Sequence, residues 1–251
     1  MNRAERIIWP PAVLLLAALL NGSTQILLGA DAVGAETIVR AMAAVSGRVT
    51  LAGNIPTSKP LPVFKNRSFC GTEVANETLL VGRDGAVKNA VVMLRATDRP
   101  APTEPIRLVL DNKRCGFAPH VQVAPVGSEL LLKNSDPILH TVHARLGAET
   151  LFNVGLPKWR EVTKRLDRAG VIRINCDVLH TWMSAAIVVT DTPYVAVTDE
   201  NGSFVIDQMP VGQYRGEIWH EKLGARTLPL SVTGDKVISL EVVYALEQNS
   251  R

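Results

Sequence analysis

Apolar and polar positions alternate or cluster in short runs along this chain, and no long helical period emerges. Residues 46–52 (SGRVTLA) and 87–95 (VKNAVVMLR) read as strands, as do Val121–Val123 and Leu130–Lys133, which are joined by the Pro125-Val126-Gly127 turn. Val171, Ile172 and Ile174 form a strand entering a short loop, and Ile187–Val189 form one leaving it. Beyond Thr190, Tyr194–Thr198 and Ser203–Ile206 flank the hairpin turn Asp199-Glu200-Asn201-Gly202. A further turn at Pro210-Val211-Gly212 leads into Gln213–Trp219, and Ile238, Leu240, Val242 and Tyr244 mark a last strand. The pattern predicts an all-β protein. Two stretches punctuate it: the connection holding Pro56, Pro60 and Pro62, which is expected to be irregular, and the Pro-rich linker 97–105.

The chemistry concentrates in the loop after Ile174. Cys176, His180 and Met183 stand there in a Cys-x3-His-x2-Met arrangement between two apolar strands. A thiolate, an imidazole and a thioether are ligand types that select copper, and a trigonal His₂Cys site with a weak axial Met needs one more His from elsewhere. His140, just past the Asn134–Pro137 cluster that ends a strand, is the candidate. His143 is a further candidate, as an extra or substitute ligand. On a continuing strand it faces away from His140, and in a loop both rings reach one metal. His120 and His220 read as structural or surface residues, with approach of His120 to the site from the neighbouring strand as the alternative.

Taken together, Phe117 and Pro119, Gly127, Asn134, His140, Gly170, Cys176, His180 and Met183 make residues 105–190 resemble the cupredoxins, the plastocyanin and amicyanin type of blue copper protein. The resemblance implies a Greek-key β-sandwich holding one type 1-like copper ion by His140, Cys176, His180 and Met183. It also implies that His180 lies at an exposed edge as the electron port. Pro137, Ile138, Leu179 and Trp182 either form an apolar rim where a redox partner, such as a cytochrome or oxidoreductase, docks, or are ordinary packing residues. The loop spacing also matches half of a dinuclear copper A site. That centre needs a second Cys where this chain has Ile172, so a mononuclear site is expected. Thr141 stands where many cupredoxins carry the Asn that ties the ligand loops together.

The stretch TDENGSFVI…MPVGQY resembles carboxypeptidase regulatory-like, or transthyretin-like, β-sandwiches. Gly47-Arg48-Val49 and Asn89-Ala90-Val91-Val92 fit the opening strands of such a module. The expected organisation is therefore a second, small and discontinuous sandwich, with strands at 46–95 and 193–246 flanking the cupredoxin-like segment.

Residues 1–35 read as a cleaved export signal, with an uncleaved membrane anchor as the alternative: Arg3 and Arg6, the apolar run Val13–Leu20, and small residues near Ala32 or Ala35. Asn21–Gln25 breaks the apolar run short of the ~20 residues a spanning helix needs. The expected location is periplasmic or otherwise exported, with no membrane association after cleavage. An oxidising compartment suits a disulfide. If Cys176 binds metal, Cys70 and Cys115 remain to pair; the alternative is that Cys176 pairs with one of them and the ligand spacing is accidental.

The formal net charge of +3 is small and dispersed, which argues against a nucleic-acid partner. Neither a His-Glu-x-x-His nor a Gly-x-Ser-x-Gly motif occurs, and no phosphate-cradling glycine loop does. The sequence thus points to an exported single-electron carrier rather than an enzyme. A copper-delivery protein, an open-site copper enzyme and a metal-free β-sandwich binding module are the competing classes.

Overall fold

The computed structural model describes residues 42–98, 100–234 and 237–245. The expected export signal at 1–35 lies outside them. Strands dominate, and among the described residues no helix is long and apolar enough to cross a membrane.

Four sheets stack as layers, and the pattern of buried side chains explains the order. A three-stranded sheet runs Ser203–Pro210, Met42–Ala52, Ile238–Ala245, and a four-stranded sheet runs Val195–Val197, Val91–Ala96, Gly212–His220, Gly224–Val232. Their facing sides share one core, with Val45, Val49, Phe204 and Ile206 on one sheet and Val92, Leu94 and Ile218 on the other. A five-stranded sheet runs Glu149–Leu156, His140–Leu146, Gly170–Asn175, Ser184–Thr190, Val121–Pro125. It packs on a sheet ordered Glu161–Leu166, Ser128–Asn134, Arg107–Lys113, Gly116–Ala118. Leu110, Leu130 and Leu132 meet Val142, Ile172, Ile174 and Ile187 in the core between them.

Two strands are apolar on both faces because they lie inside the stack. In Val91–Ala96, Val92 and Leu94 point to one core, while Val91 and Met93 point to another. In Ser184–Thr190, Ala185, Ile187 and Val189 face the interior of their own sandwich, while Ala186 and Val188 turn outward. The outward sets meet, with Trp219 and Val121, in a third cluster that joins the sandwiches. Period-two alternation is hidden in such strands because both sides are covered.

The strand Met42–Ala52 begins before the expected 46. It lies between Ser203–Pro210, antiparallel, and Ile238–Ala245, parallel. Val91–Ala96 is likewise bracketed by Val195–Val197 and Gly212–His220. The chain thus leaves this sandwich after Ala96, builds the other, and returns.

Between Ala52 and Val91 the chain is mostly irregular, as the prolines predict. It contains one small ladder, Leu61–Pro62 with Glu73–Val74, one turn of α-helix, Arg67–Cys70, and one 3-10 turn, Arg83–Gly85. A disulfide links Cys70 to Cys115 and leaves Cys176 free and buried. The bridge fastens this irregular segment to the hairpin between Arg107–Lys113 and Gly116–Ala118.

Candidate metal centre

The strands His140–Leu146 and Gly170–Asn175 are antiparallel neighbours, with Asn175 opposite His143. His140 therefore opens one strand next to the point where the other ends in Cys176. The chain then turns back; Leu179 takes a left-handed conformation (φ 65), and Met183 donates its N–H to the His180 carbonyl at 2.9 Å. This turn swings His180 over the strand ends.

Three ligand atoms converge there. His140 Nδ1 and His180 Nδ1 are 3.1 Å apart, and Cys176 Sγ lies 3.9 Å from the first and 3.6 Å from the second. A point equidistant from all three would be about 2.1 Å from each, within the range of ~2.0–2.3 Å for metal–nitrogen and metal–sulfur bonds. Both imidazoles are fully buried and Cys176 is 5% exposed. The donor set, two imidazoles and a thiolate, fits copper in trigonal His₂Cys geometry.

The outward ring nitrogens explain why the inner ones converge. His140 Nε2 lies 3.1 Å from Asp136 Oδ2, and His180 Nε2 lies 2.8 Å from Asn66 Oδ1. Both partners are acceptors, so each ring carries its proton on Nε2 and turns a lone pair inward from Nδ1. Two lone pairs at 3.1 Å repel unless a cation or proton lies between them. Protonation is disfavoured. Burial lowers the His140 pKa against the opposing pull of Asp136. Burial, then the neighbouring His140 and Lys65, push His180 down to about 4. At neutral pH the pocket thus presents two neutral imidazoles and a sulfur, an arrangement that a metal cation satisfies.

Thr141 ties the ligand loops together. Its N–H donates to Cys176 Sγ at 3.3 Å, its hydroxyl lies 3.7 Å from the same sulfur, and that hydroxyl accepts the Asp177 N–H at 2.6 Å. Thr141 thus links the two loops with both its backbone and its side chain.

Met183 is 1% exposed and packs in the same core cluster as Cys176 and Trp182. His143 is not among the converging atoms. It sits three positions along the strand, on the other face, with Nε2 2.8 Å from Thr150 Oγ1. Its Nδ1 lies 2.8 Å from Asp177 Oδ2, close but not aligned as a hydrogen bond. The chain continues as a strand through His143, so the geometry that would have allowed both rings to reach one metal does not arise.

His120 is 8% exposed and pairs with Glu221 at 2.7 Å, between the two sandwiches. His220 is buried and accepts the Lys222 N–H at 3.2 Å. Neither is among the converging donor atoms.

Two expectations about the surface need correction. His180 is not an exposed edge, because its ring is fully buried under the turn that carries Asn66. Trp182 is not a rim residue either: it is 7% exposed, its Nε1–H donates to the Cys115 carbonyl at 2.9 Å, and its ring lies 5.0 Å from that of His180. Pro137 and Leu179 are exposed, and Ile138 is half-buried.

Sequence reasoning missed Asp136 and Asn66. Asp136 precedes His140 by one helical-turn spacing but acts within a loop. Asn66 lies in a different part of the chain, and its only sequence signal is proximity to Cys70.

No family model and no curated protein matches the chain. Among solved structures it is similar to a purple cupredoxin from Nitrosopumilus maritimus, at 19% identity and TM-score 0.30, over 34% of this chain and 99% of that one. It is similar to amicyanin from Paracoccus versutus at 15% identity and TM-score 0.30, over 39% of this chain and 97% of that one. A Cu-containing nitrite reductase from Thermus scotoductus SA-01 matches at 19% identity and TM-score 0.32, over 37% of this chain and only 25% of the reductase.

Proposed function

We propose that this chain is an exported mononuclear copper protein that carries single electrons between redox partners. The observation that carries the reading is the enclosed triangle of His140 Nδ1, His180 Nδ1 and Cys176 Sγ, sized for one ion. A copper ion held there supplies a one-electron couple. The protein residues hold the donors so that little rearrangement accompanies the change of charge. Asp136 and Asn66 orient the rings, Thr141 donates to the sulfur, and strands on both sides fix the backbone. Hydrogen bonds to the sulfur and the buried surroundings tune the potential. Met183 is the proposed axial ligand, on the strength of its place in the loop and its burial.

Burial also weighs against the competing classes. A delivery protein needs donors that a partner can reach, and an inner-sphere enzyme needs a position open to substrate. A cleft of about 490 Å³ opens beside Trp182 and Met183, lined also by Lys113, Phe117 and His120, but none of the three donor residues lines it. Electron transfer needs proximity rather than contact, so it suits an enclosed centre. The partner reading rests on exposed apolar side chains beside the site, Leu139 at 50% and Leu179 at 64%, which suit brief docking of a cytochrome or oxidoreductase.

The test is to add copper(II) to the purified protein and record its visible spectrum beside Cys176→Ser. An intense thiolate-to-copper absorption that the variant lacks, with a reversible one-electron wave by voltammetry, is the expected result. Copper binding without a reversible wave would favour delivery, and turnover with nitrite, oxygen or peroxide would favour an enzyme. No colour and no stoichiometric copper would leave a metal-free β-sandwich binding module.

A further inference from the structure

Residues 63–71 cover the ring that would otherwise be the outward edge of the centre. The segment is held at both ends. Val63 is fully buried in the core around Cys176, and its N–H donates to the Thr72 carbonyl at 2.9 Å. Cys70 is bonded to Cys115. Between them Asn66 adopts a left-handed conformation (φ 58), and its carbonyl accepts the N–H groups of Phe69 and Cys70 at 2.9 and 2.8 Å. Asn is among the few residues that take this conformation readily. With the backbone so fixed, the Asn66 side-chain oxygen is aimed at His180 Nε2, 2.8 Å away.

The other half of the bridge reaches both ligand rings. The Cys115 N–H donates to Asp136 Oδ2 at 2.8 Å, the same oxygen that lies 3.1 Å from His140 Nε2. The Cys115 carbonyl accepts from Trp182 Nε1, and the Trp182 ring lies 5.0 Å from His180. One covalent link thus joins the acceptor that orients His180 to the loop whose amides fix the acceptor for His140.

We infer that Asn66 is a positioning residue that fixes the tautomer of His180 and closes its ring from solvent, and that the Cys70–Cys115 bridge holds Asn66 in that role. Its consequence for metal binding rests on the copper reading above; the positioning itself does not. The two rings receive unlike acceptors, a carboxylate on His140 and a neutral amide on His180. The carboxylate makes the His140 ring the more basic donor. The cover also means that a redox partner meets Asn66 and its exposed neighbours Phe64 and Phe69 rather than the imidazole edge.

The test uses Asn66→Gly, which removes the amide and keeps a residue at ease with positive φ, beside Asn66→Asp, which restores an acceptor oxygen. Nitrogen-labelled histidine NMR on the metal-free full chain reads the tautomer of His180 and the exchange of its Nε2–H. The wild-type protein is expected to show a single Nε2–H tautomer with slow exchange. Asn66→Gly should mix the tautomers, speed exchange and weaken copper(I) binding by about 10–100-fold in a chelator competition; Asn66→Asp should recover the tautomer. The Cys70→Ser/Cys115→Ser protein should move in the same direction as Asn66→Gly. Unchanged tautomer and exchange in Asn66→Gly would overturn the role of Asn66, and unchanged values in the double variant would overturn that of the bridge. If the wild-type chain binds no copper, the copper reading fails, while the tautomer in the metal-free protein still decides the positioning.

Discussion

At the scale of single residues, Asp136 joins a ligand ring to the loop beside it. Its carboxylate accepts the Arg114 N–H at 2.7 Å and the Cys115 N–H at 2.8 Å, and it faces His140 Nε2 at 3.1 Å, while the residue itself is 3% exposed. Removing a buried acceptor strands its donors, which costs more than the bonds themselves were worth. Asp136→Ala is therefore expected to lower the stability of the metal-free protein by on the order of 3 kcal/mol in urea unfolding. Copper affinity should fall about 10–100-fold as well, because His140 loses its orientation. A loss of stability with affinity unchanged would reduce Asp136 to a loop fastener. The buried imidazoles predict a pH dependence whose sign is fixed. His140, His180 and His220 all have lowered pKa values in the folded chain, each chiefly through burial. Between the ordinary value of ~6.5 and the folded values, the unfolded chain binds more protons. Stability of the metal-free protein is thus fully present above pH ~6.5 and declines as pH falls below it, for His180 until about pH 4. Urea midpoints taken across that window check it; a flat profile would mean that the rings are not held neutral.

At the scale of elements, the glycine in the first strand is a packing requirement. Gly47 lies mid-strand between two partners, and a Cβ there would overlap the Leu240 carbonyl and the Phe204 ring. Gly47→Ala should cost about 1–3 kcal/mol, read as a lower urea midpoint. The copper absorption should survive, because His140, Cys176 and His180 belong to the other sandwich. Altered copper spectra in a folded Gly47→Ala protein would imply coupling between the two cores. The same contrast shows which elements were readable in advance. The strands around Cys176 stand out because Ile172 and Ile174 on one side and Ala185–Val189 on the other are buried and apolar, and Cys176, His180 and Met183 fall in the short loop between them. Glu149–Leu156 and Glu161–Leu166 did not stand out. Each lies at a sheet edge with one half-exposed face and few fully buried residues, so its alternation is diluted by charged side chains. The outer partners of the rings were hidden for a different reason. The hydrogen bond that His180 donates to Asn66 spans 114 positions, and no local pattern encodes such a contact.

At the scale of the whole molecule, the two sandwiches depend on each other in unequal ways. The strands from 195 onward cannot complete their own sheets. Met42–Ala52 is the middle strand of one, and Val91–Ala96 is an inner strand of the other. The middle of the chain, by contrast, contains both sheets of its sandwich, but its outer face carries Val121, Ala186 and Val188, which are covered by Val91, Met93 and Trp219. Polar ties cross at the same boundary: Arg95, which also pairs with Glu217 of its own sheet at 3.0 Å, pairs with Asp191 at 2.8 Å, and the Thr192 hydroxyl donates to the Leu94 carbonyl at 2.7 Å. Excision should therefore have asymmetric results. A fragment of residues 193–251 is expected to be unfolded, with no cooperative thermal transition by circular dichroism. A fragment of 105–190 should retain β structure but expose the uncovered apolar face and the unpaired Cys115, so that it associates with itself. The full chain should melt in a transition that restores both cores together on cooling. Cooperative folding of both fragments as monomers would sink this account, since it would mean that the N-terminal strands are dispensable additions to two independent units. A folded full chain beside an unfolded 193–251 fragment would show that the sandwich is assembled from both ends of the chain around the segment that carries His140, Cys176 and His180. The metal centre would then be an insertion whose outer sheet is buttressed by the very strands it separates.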